Sequence, residues 1–195
     1  MKTLIQAGTL VSATDTFQAD ILIEGEQILA IETDIEARDA QVINASGKYV
    51  LPGGIDPHTH LDLPMFGTVS SDDHYTGHKA AALGGTTTVM DFVPQDPALS
   101  LLENVAVWRD KASKAAIDYS FHMNITHFDA AVAQEIPALL GEGITTLKTF
   151  MAYNGRLRLS DEHILNVMEI AQAHGMLTML HAEDGDQIET RGAEA

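Results

Sequence analysis

Two histidines, His58 and His60, stand two residues apart in the segment PGGIDPHTHLD, directly after an apolar run and a Gly-Gly pair. Side chains two residues apart on an extended chain point to the same side, so both imidazoles face one way. Neutral imidazole is a common ligand of zinc and related metal ions. The pair indicates either two ligands of a metal or two polar residues where a strand ends, and the spacing alone leaves both interpretations open.

Lys148 and His181 also stand at the ends of apolar strands, in the segments ITTLK and MLTMLH. A lysine in a parallel strand that is buried on both faces is costly unless its charge is paired or neutralised. Either its ammonium reaches solvent past the strand end, or it acts chemically, as a Schiff-base amine or as an amine converted to an anionic ligand. His181 is either a hydrogen-bonded histidine or a further ligand.

The elements that must position these residues alternate between strand and helix. Up to about residue 50 the chain reads as short strands, with a hairpin reversal at the Glu-Gly-Glu sequence 24–26. From Tyr49 onward, helical segments separate five apolar strands, which end near His58, Asp91, Asn124, Lys148 and His181. This alternation predicts an α/β fold with a parallel sheet. The carboxyl ends of parallel strands form the functional rim, so we expect the candidate residues on one rim.

An open doubly wound sheet and a closed (β/α)8 barrel both fit five such units. A complete barrel takes roughly 250 residues. In a barrel, the chain would therefore stop after five of eight units, and we expect it to be part of a longer protein. Asp91 and Asn124 are predicted to be capping or hydrogen-bonding residues rather than catalytic ones. The histidines without a strand-end position are predicted to be surface or supporting residues: His74, His78, His122, His127, His163 and His174.

Capping residues predict where three of the helices begin. Ser100 and Glu103 have the spacing of a capping box, and Ser160 is predicted to cap a helix that ends at Gly175. For the first helix of the alternating region, Ser71 or Asp72 is the predicted N-cap. The helix after Ser160 is predicted to bury one apolar face, formed by Ile164, Leu165, Met168 and Ala171.

Composition narrows the function classes. The chain has 195 residues, no cysteine and 45% hydrophobic residues, which is typical of a soluble globular protein. The absence of cysteine excludes disulfides and thiolate zinc sites and is compatible with a cytoplasmic location. Its net charge of −17 makes nucleic acid an unsuitable partner. No run approaches the roughly 20 apolar residues of a membrane helix, so no membrane partner is expected, and no signal peptide is recognised at the N-terminus.

Five segments together resemble the dihydropyrimidinase and D-hydantoinase family of cyclic amidohydrolases in order and spacing: PGGIDPHTHLDLP, GGTTTVMDF, DYSFHMNI, LKTFMAY and LHAEDGD. The resemblance runs from Met1 to Ala195. It implies a small β-sandwich domain joined to a (β/α)8 barrel that holds two divalent metal ions, usually zinc. The implied boundaries are 1–50 for the N-terminal part of the sandwich and 51–195 for the first part of a truncated catalytic barrel.

The resemblance also implies roles for individual residues. His58 and His60 match the pair that binds the more buried metal, and His181 matches a ligand of the second. Lys148 matches a lysine that reacts with carbon dioxide to give N6-carboxylysine, a carbamate that bridges both metals. Tyr153 matches the tyrosine whose hydroxyl stabilises the developing oxyanion. The matches for hydrophobic residues that shape the substrate pocket are Met65, Phe150 and Leu157.

The implied reaction is hydrolysis of the cyclic amide bond of dihydropyrimidines or 5-substituted hydantoins by a metal-bridging hydroxide, as in pyrimidine catabolism. A further histidine and the catalytic aspartate are expected beyond residue 195, so this segment alone is predicted to be inactive. The resemblance also implies a homo-oligomer, commonly a tetramer. The bulky pair Met65-Phe66 departs from the family pattern and leaves specificity within the family open.

Two alternatives to this activity stay open. Dihydroorotase- and allantoinase-like relatives typically carry Arg or Glu followed by Pro and Gly soon after the histidine pair. Here the pair is followed by LDLPMFGTV, with Asp62 and no cation nearby, which favours a small uncharged cyclic amide. The second alternative is a non-catalytic dihydropyrimidinase-related scaffold protein, but such proteins have lost metal ligands that this sequence retains.

Overall fold

The computed structural model describes residues 1–65 and 67–194. Phe66, whose bulk beside Met65 is predicted to alter the substrate pocket, lies outside the described residues. The chain divides into one compact unit from Met1 to Gly53 and a second from Gly54 onward. Within the described residues, no helix is both long enough and apolar enough to cross a membrane.

The first unit is a five-stranded sheet. Its strands are β1 (Lys2–Val11), β2 (Thr16–Glu24), β3 (Gln27–Glu32), β4 (Ala40–Asn44) and β5 (Tyr49–Val50). The order is β3-β2-β1-β4, and β5 pairs with β1. The predicted hairpin reversal is confirmed, because β2 and β3 pair antiparallel around Gly25, which has a φ of +61°. The small buried core of this first unit contains Leu10, Ala19 and Ile21.

A buried carboxylate fixes an irregular point of this sheet. Ala7 adopts a φ of +59° where the register between β1 and β2 shifts. Asp20 is 5% exposed, and its carboxylate accepts hydrogen bonds from the N–H groups of Ala7 (2.7 Å) and Ile35 (3.0 Å). The side chain therefore holds both the bulge and the segment that follows β3.

We expect Asp20→Ala to destabilise the protein by about 2–4 kcal/mol, because it leaves two N–H groups near a buried site without their acceptor. Urea unfolding, followed by circular dichroism, measures the change. Asp15→Ala is the matched control, since the Asp15 carboxylate is exposed and, among the described residues, accepts only from the Thr14 hydroxyl next to it. Equal unfolding free energies for the two variants would contradict this role.

The second unit contains alternating strands and helices with one short hairpin. Its strands are β6 (Gly54–Thr59), β7 (Pro64–Met65), β8 (Thr68–Val69), β9 (Thr86–Val93), β10 (Asp118–Asn124), β11 (Thr146–Phe150) and β12 (Leu177–His181). Its α-helices are α1 (His74–Leu83), α2 (Leu101–Lys111), α3 (Ala130–Glu135), α4 (Asp161–Ala173) and α5 (Gly185–Glu194). Short 3-10 turns follow α2 and α3.

The strand order decides between the two α/β architectures. The main sheet runs β12-β11-β10-β9-β6, and every pair in it is parallel. Apart from the β7–β8 hairpin, each strand therefore lies beside the one that precedes it in the chain. A doubly wound sheet reverses its order at a switch point, and this sheet has no reversal among its described strands. The winding is that of a (β/α)8 barrel.

The N-caps predicted for two helices are confirmed, and the N-cap of α1 differs from the prediction. The capping box of Ser100 and Glu103 is confirmed at α2, and Ser160 caps α4 by accepting from the N–H of His163. Helix α1 begins after Asp73, not after Ser71 or Asp72. Asp73 has Thr76 three residues later, and the two close a reciprocal capping box. The box, rather than the first polar residue, sets the start of α1.

The prediction for the buried face of α4 is partly wrong. Ile164 and Ala171 are buried as expected, but Leu165 is 58% exposed and Met168 is 46% exposed. Val167 is fully buried instead. The stripe is centred on residues spaced by three and four, and Leu165 and Met168 each lie one residue, or about 100°, away from it.

Candidate metal centre

One cavity of about 310 Å³ lies at the carboxyl ends of the parallel strands. It is lined by His58, His60, Phe92, Asn124, Lys148, Phe150, Tyr153 and His181. Five strands, β6, β9, β10, β11 and β12, contribute to it directly or through the residues that follow them. The structure thus brings residues that are distant in the sequence to one rim, as parallel strands require.

His58 and His60 lie beside each other at one edge of the sheet. Their ring centroids are 5.2 Å apart, and the buried Phe92 ring lies 4.5 Å from His58 and 5.1 Å from His60. Partial burial, with smaller effects of His58 and Lys148, lowers the pKa of His60. A lowered pKa keeps the ring neutral, which is the form that binds a metal.

Lys148 lines the cavity and lies two residues before the end of β11. In the strand register it pairs with Asn124 of β10 and Met179 of β12. Its Nζ lies 5.3 Å from the centroid of the Phe150 ring. Burial lowers the pKa of the lysine amine, which favours the neutral amine that can act as a nucleophile. The side chain does not simply extend past a strand end, since β11 continues to Phe150.

Asn124, which was predicted to be a capping or hydrogen-bonding residue, lines the cavity. Its side-chain oxygen Oδ1 is buried, has no hydrogen-bond partner among the described residues, and belongs to a residue that lines the cavity. Buried polar atoms usually have a hydrogen-bond partner, so this oxygen is an acceptor that is available within the cavity. The sequence could show that Asn124 lies at a strand end. It could not show that the side-chain oxygen has no hydrogen-bond partner among the described residues.

His181 and Tyr153 form the opposite side of the cavity. The Tyr153 ring lies 5.2 Å from the His181 ring, and the Phe150 ring stacks on His181 at 5.9 Å. Tyr153 has a φ of +65°, and its carbonyl accepts from the N–H groups of Arg156 and Leu157. This tight turn directs the chain around the tyrosine. Nε2 of His181 also contacts the carboxylate of Glu183, a partner that the sequence interpretation did not consider.

Met65 and Leu157 are not among the described residues that line this cavity. Met65 lies in the short β7–β8 hairpin and is 41% exposed, and Leu157 lies in the turn after Tyr153. Of the three predicted pocket residues, Phe150 alone lines the cavity in the described chain.

The donors in the cavity can be tested for their fit to two metal ions. Within residues 1–65 and 67–194, no group of three or more His, Asp or Glu side chains is arranged to hold a metal. The cavity offers three imidazoles and one amine, and none of its described lining residues is a carboxylate. Imidazole suits zinc, but two dications need a compensating anion. A carbamate on Lys148 would supply both the charge and two oxygen ligands, so the donor set fits in that form.

His74 and His78, predicted to be surface or supporting residues, do not lie at the surface. Both side chains are fully buried on α1, their rings lie 5.5 Å apart, and none of their nitrogens has a hydrogen-bond partner among the described residues. Nε2 of His74 lies 3.6 Å from the buried carboxylate of Asp91. His122 is also buried, and its ring bonds to Thr146 and the Pro57 carbonyl. The spacing of four residues was the available signal that His74 and His78 share a helix face.

The buried His74 gives a prediction for the pH dependence of stability. Burial, followed by the nearby His78, lowers its pKa from 6.5 to about 4. Between these values the unfolded chain holds a proton that the folded chain does not, so stability falls as the pH drops from 6.5 toward 4.

We expect His74→Phe to reduce the loss of unfolding free energy between pH 7 and pH 5 by up to about 2 kcal/mol. Urea unfolding at the two pH values measures this difference. Burial also raises the pKa of Asp91, to about 6, which acts with the opposite sign. Since Asp91 lies 3.6 Å from His74, the measured difference is the net change for the two groups. Leu83→Ala, at an exposed position of α1, is the control; an identical pH dependence in His74→Phe and wild type would contradict the prediction.

Comparisons with known proteins agree with this arrangement. The model of the amidohydrolase family matches residues 49–195. The chain is 44% identical to a D-hydantoinase of Geobacillus stearothermophilus over 191 residues, which cover 97% of this chain and 41% of the relative. It is 39% identical to a dihydropyrimidinase of Arabidopsis thaliana, over 95% of this chain and 35% of the relative. The chain thus spans about two fifths of the length of these curated relatives.

Solved structures extend the likeness to the fold. The crystal structure of a dihydropyrimidinase from Brevibacillus agri superposes with a TM-score of 0.97 and 48% identity, over all of this chain and 43% of that chain. The parallel sheet described above is thus part of a barrel like that of these enzymes, which confirms the predicted fold class. Since the family model covers most of the chain and the strand-end residues converge as the motifs require, the chain belongs to the amidohydrolase family.

Proposed function

We propose that the whole protein, of which this chain forms the N-terminal portion, hydrolyses the cyclic amide bond of dihydropyrimidines or 5-substituted hydantoins. The observation that carries the proposal is the convergence of His58, His60, Lys148, Tyr153 and His181 on one cavity. The names of the relatives, D-hydantoinase and dihydropyrimidinase, support the same reaction class.

In this proposal the histidines and Lys148 hold two divalent metal ions, most suitably zinc. His58 and His60 would bind one ion and His181 the second, and a carbamate on Lys148 would supply anionic oxygen ligands. Such ions polarise a carbonyl and make water a nucleophile near neutral pH. The Glu183 carboxylate, in contact with the His181 ring, would orient that ring and fix its tautomer.

The remaining cavity residues would act on the substrate. The Tyr153 hydroxyl would donate a hydrogen bond to the carbonyl oxygen as negative charge develops on it. Phe92 and Phe150 give the cavity apolar walls, and the unpartnered Oδ1 of Asn124 is an acceptor for a ring N–H. The reacting carbonyl of a dihydropyrimidine or hydantoin has a ring N–H next to it, which matches this combination of a donor and an acceptor.

The charges near the cavity favour an uncharged substrate. Lys148 is the only cation among the described residues that line it, and carbamylation would reverse its charge. Two lysines contact Asp62 in the loop after His60. Nζ of Lys111 donates to the Asp62 carbonyl at 2.7 Å, and Nζ of Lys114 lies 3.3 Å from the Asp62 carboxylate. An anionic ring would therefore find no free cationic side chain among the described residues of this loop.

The finer features of the family are proposals as well. They are a sandwich domain that begins with residues 1–50, a catalytic barrel from residue 51, a pocket shaped by Met65 and Leu157 in the complete enzyme, a cytoplasmic tetramer and a role in pyrimidine catabolism.

A substrate panel tests the proposed function. The whole protein with zinc should open the rings of dihydrouracil and a 5-substituted hydantoin, and should open dihydroorotate, which is anionic, far more slowly. The purified chain of 195 residues is the control and should turn over none of them. A whole protein that prefers dihydroorotate, or that hydrolyses no member of the panel, would overturn the proposal.

A further inference from the structure

Strand β6 carries His58, and His60 follows directly after the end of the strand at Thr59. Among the described strands, β6 pairs with β9. The register between the two strands shifts twice, and the second shift, between Asp56 and Thr59, spans His58. A register shift interrupts the ladder of backbone hydrogen bonds. Contacts outside this ladder therefore contribute to fixing the direction of the histidine pair.

The turn directly after the pair, Leu61–Asp62, supplies such contacts through Asp91. The Asp91 side chain is almost fully buried, with 1% of the residue exposed. Its Oδ2 accepts hydrogen bonds from the N–H of Leu61 and the indole N–H of Trp108, both at 3.3 Å. Its Oδ1 accepts from the N–H of Phe92 at 2.7 Å. One carboxylate thus joins the residue that follows His60 to β9 and to helix α2.

Two further contacts hold the same turn. Asp62 adopts a φ of +51°, and its carbonyl accepts from Nζ of Lys111 at 2.7 Å. The Leu61 side chain is buried against α1, where a Cβ on Gly77 would come within 2.5 Å of its Cδ2. The close approach of helix and turn thus depends on the absence of a side chain at Gly77. The Leu61 N–H, the Asp62 carbonyl and the Leu61 side chain each have a contact with another element. The turn that follows His60 is therefore held at three points.

We infer that Asp91 is a positioning residue for the metal centre, which sets the orientation of His58 and His60 through the N–H of Leu61, with Lys111 as a second support of the same turn. The inference rests on the proposed function, because it concerns the ligands of the metal that the function requires. Residues that orient metal ligands typically change metal affinity or activity by about 10- to 100-fold when they are altered.

Asp91→Asn in the whole protein tests this role. Three N–H donors approach the two oxygens of Asp91, so an amide at this position must direct its NH2 group against at least one of them. We expect zinc affinity, measured by competition with a chelator, to fall about 10- to 100-fold. At limiting zinc the kcat for dihydrouracil should fall while KM stays close to wild type, and excess zinc should restore most of the kcat.

Two further variants separate positioning from general stability. Asn104 is also buried, at 4% exposure, and its amide bonds the backbone of the loop before α2. Asn104→Ala should lose stability but keep wild-type zinc affinity. Lys111→Met removes a partly exposed support of the turn and should lower zinc affinity in the same direction as Asp91→Asn, by a smaller factor. This variant carries the test if Asp91→Asn fails to fold.

The outcomes distinguish this inference from the proposed function. A wild-type protein that binds no zinc and opens no ring overturns the proposed function and the inference with it. A wild-type protein that does both, together with Asp91→Asn or Lys111→Met variants of unchanged zinc affinity, overturns the inference alone. Equal zinc loss in Asn104→Ala would show that any buried polar deletion has this effect and would also overturn it.

Discussion

Lys148→Met in the whole protein is expected to abolish ring hydrolysis, with a loss of roughly 10³-fold or more, since removing a single oxyanion donor already costs 10²–10³ in comparable sites. Methionine preserves the length and apolar contacts of the side chain but cannot form a carbamate. The cavity would then offer three imidazoles and no anion, a donor set that compensates two dications poorly. We therefore expect the number of bound zinc ions per chain to fall from two to one or fewer.

Metal analysis and a labelling experiment measure this effect directly. Protein prepared in ¹³C-labelled bicarbonate should show a carbamate carbon signal that is lost in Lys148→Met. Lys79→Met is the matched control, because Lys79 is an exposed lysine of α1 whose Nζ lies 6.0 Å from the Tyr75 ring and does not line the cavity. Full zinc occupancy and wild-type activity in Lys148→Met would exclude the bridging role.

Tyr153→Phe is expected to lower kcat by about 10²- to 10³-fold while zinc content and KM change little, because the hydroxyl donates to charge that develops in the transition state. The ring contacts with His181 and Phe150 do not involve the hydroxyl, so the phenylalanine should keep the geometry of the cavity. A loss confined to kcat separates this role from one in substrate binding.

The control for Tyr153→Phe is Tyr75→Phe, which removes a hydroxyl from a half-exposed tyrosine on α1. It should leave kcat unchanged. If Tyr153→Phe loses less than about threefold in kcat, the hydroxyl does not stabilise the transition state and the oxyanion role must pass to another donor.

Much of the fold was predictable because its signals are local. Apolar strands separated by amphipathic helices predicted the parallel sheet, and the capping box of Ser100 and Glu103 predicted the start of α2. The order of the strands in the sheet could not be predicted from local signals. An open sheet and a barrel share the same alternation, and only the strand order β12-β11-β10-β9-β6 separates them.

The site was predictable to the extent that strand ends converge. His58, Lys148 and His181 are far apart in the sequence, yet parallel strands must bring their carboxyl ends to one edge. Which polar residues support them was not predictable. Asp91 takes its role from the N–H groups of Leu61 and Trp108, and Glu183 from its contact with His181. Those contacts depend on packing between elements, which no spacing rule describes.

The burial of His74 and His78 was missed for a related reason. Histidine is polar enough to suit a surface helix, and α1 has no continuous apolar stripe to indicate an inward face at these positions. The packing of α1 against β9 and the turn at Leu61 decides their burial. Tertiary contacts here override the local preference.

The central claim, a metal pair held by His58, His60, Lys148 and His181 that drives cyclic amide hydrolysis, is tested most directly by a zinc titration. Metal-free whole protein is supplied with bicarbonate and increasing zinc, and the initial rate of dihydrouracil ring opening is recorded at each step. We predict no turnover without zinc and a rate that rises to a plateau at two zinc ions per chain. Full turnover in the metal-free protein, or a rate that zinc does not change, would contradict the account.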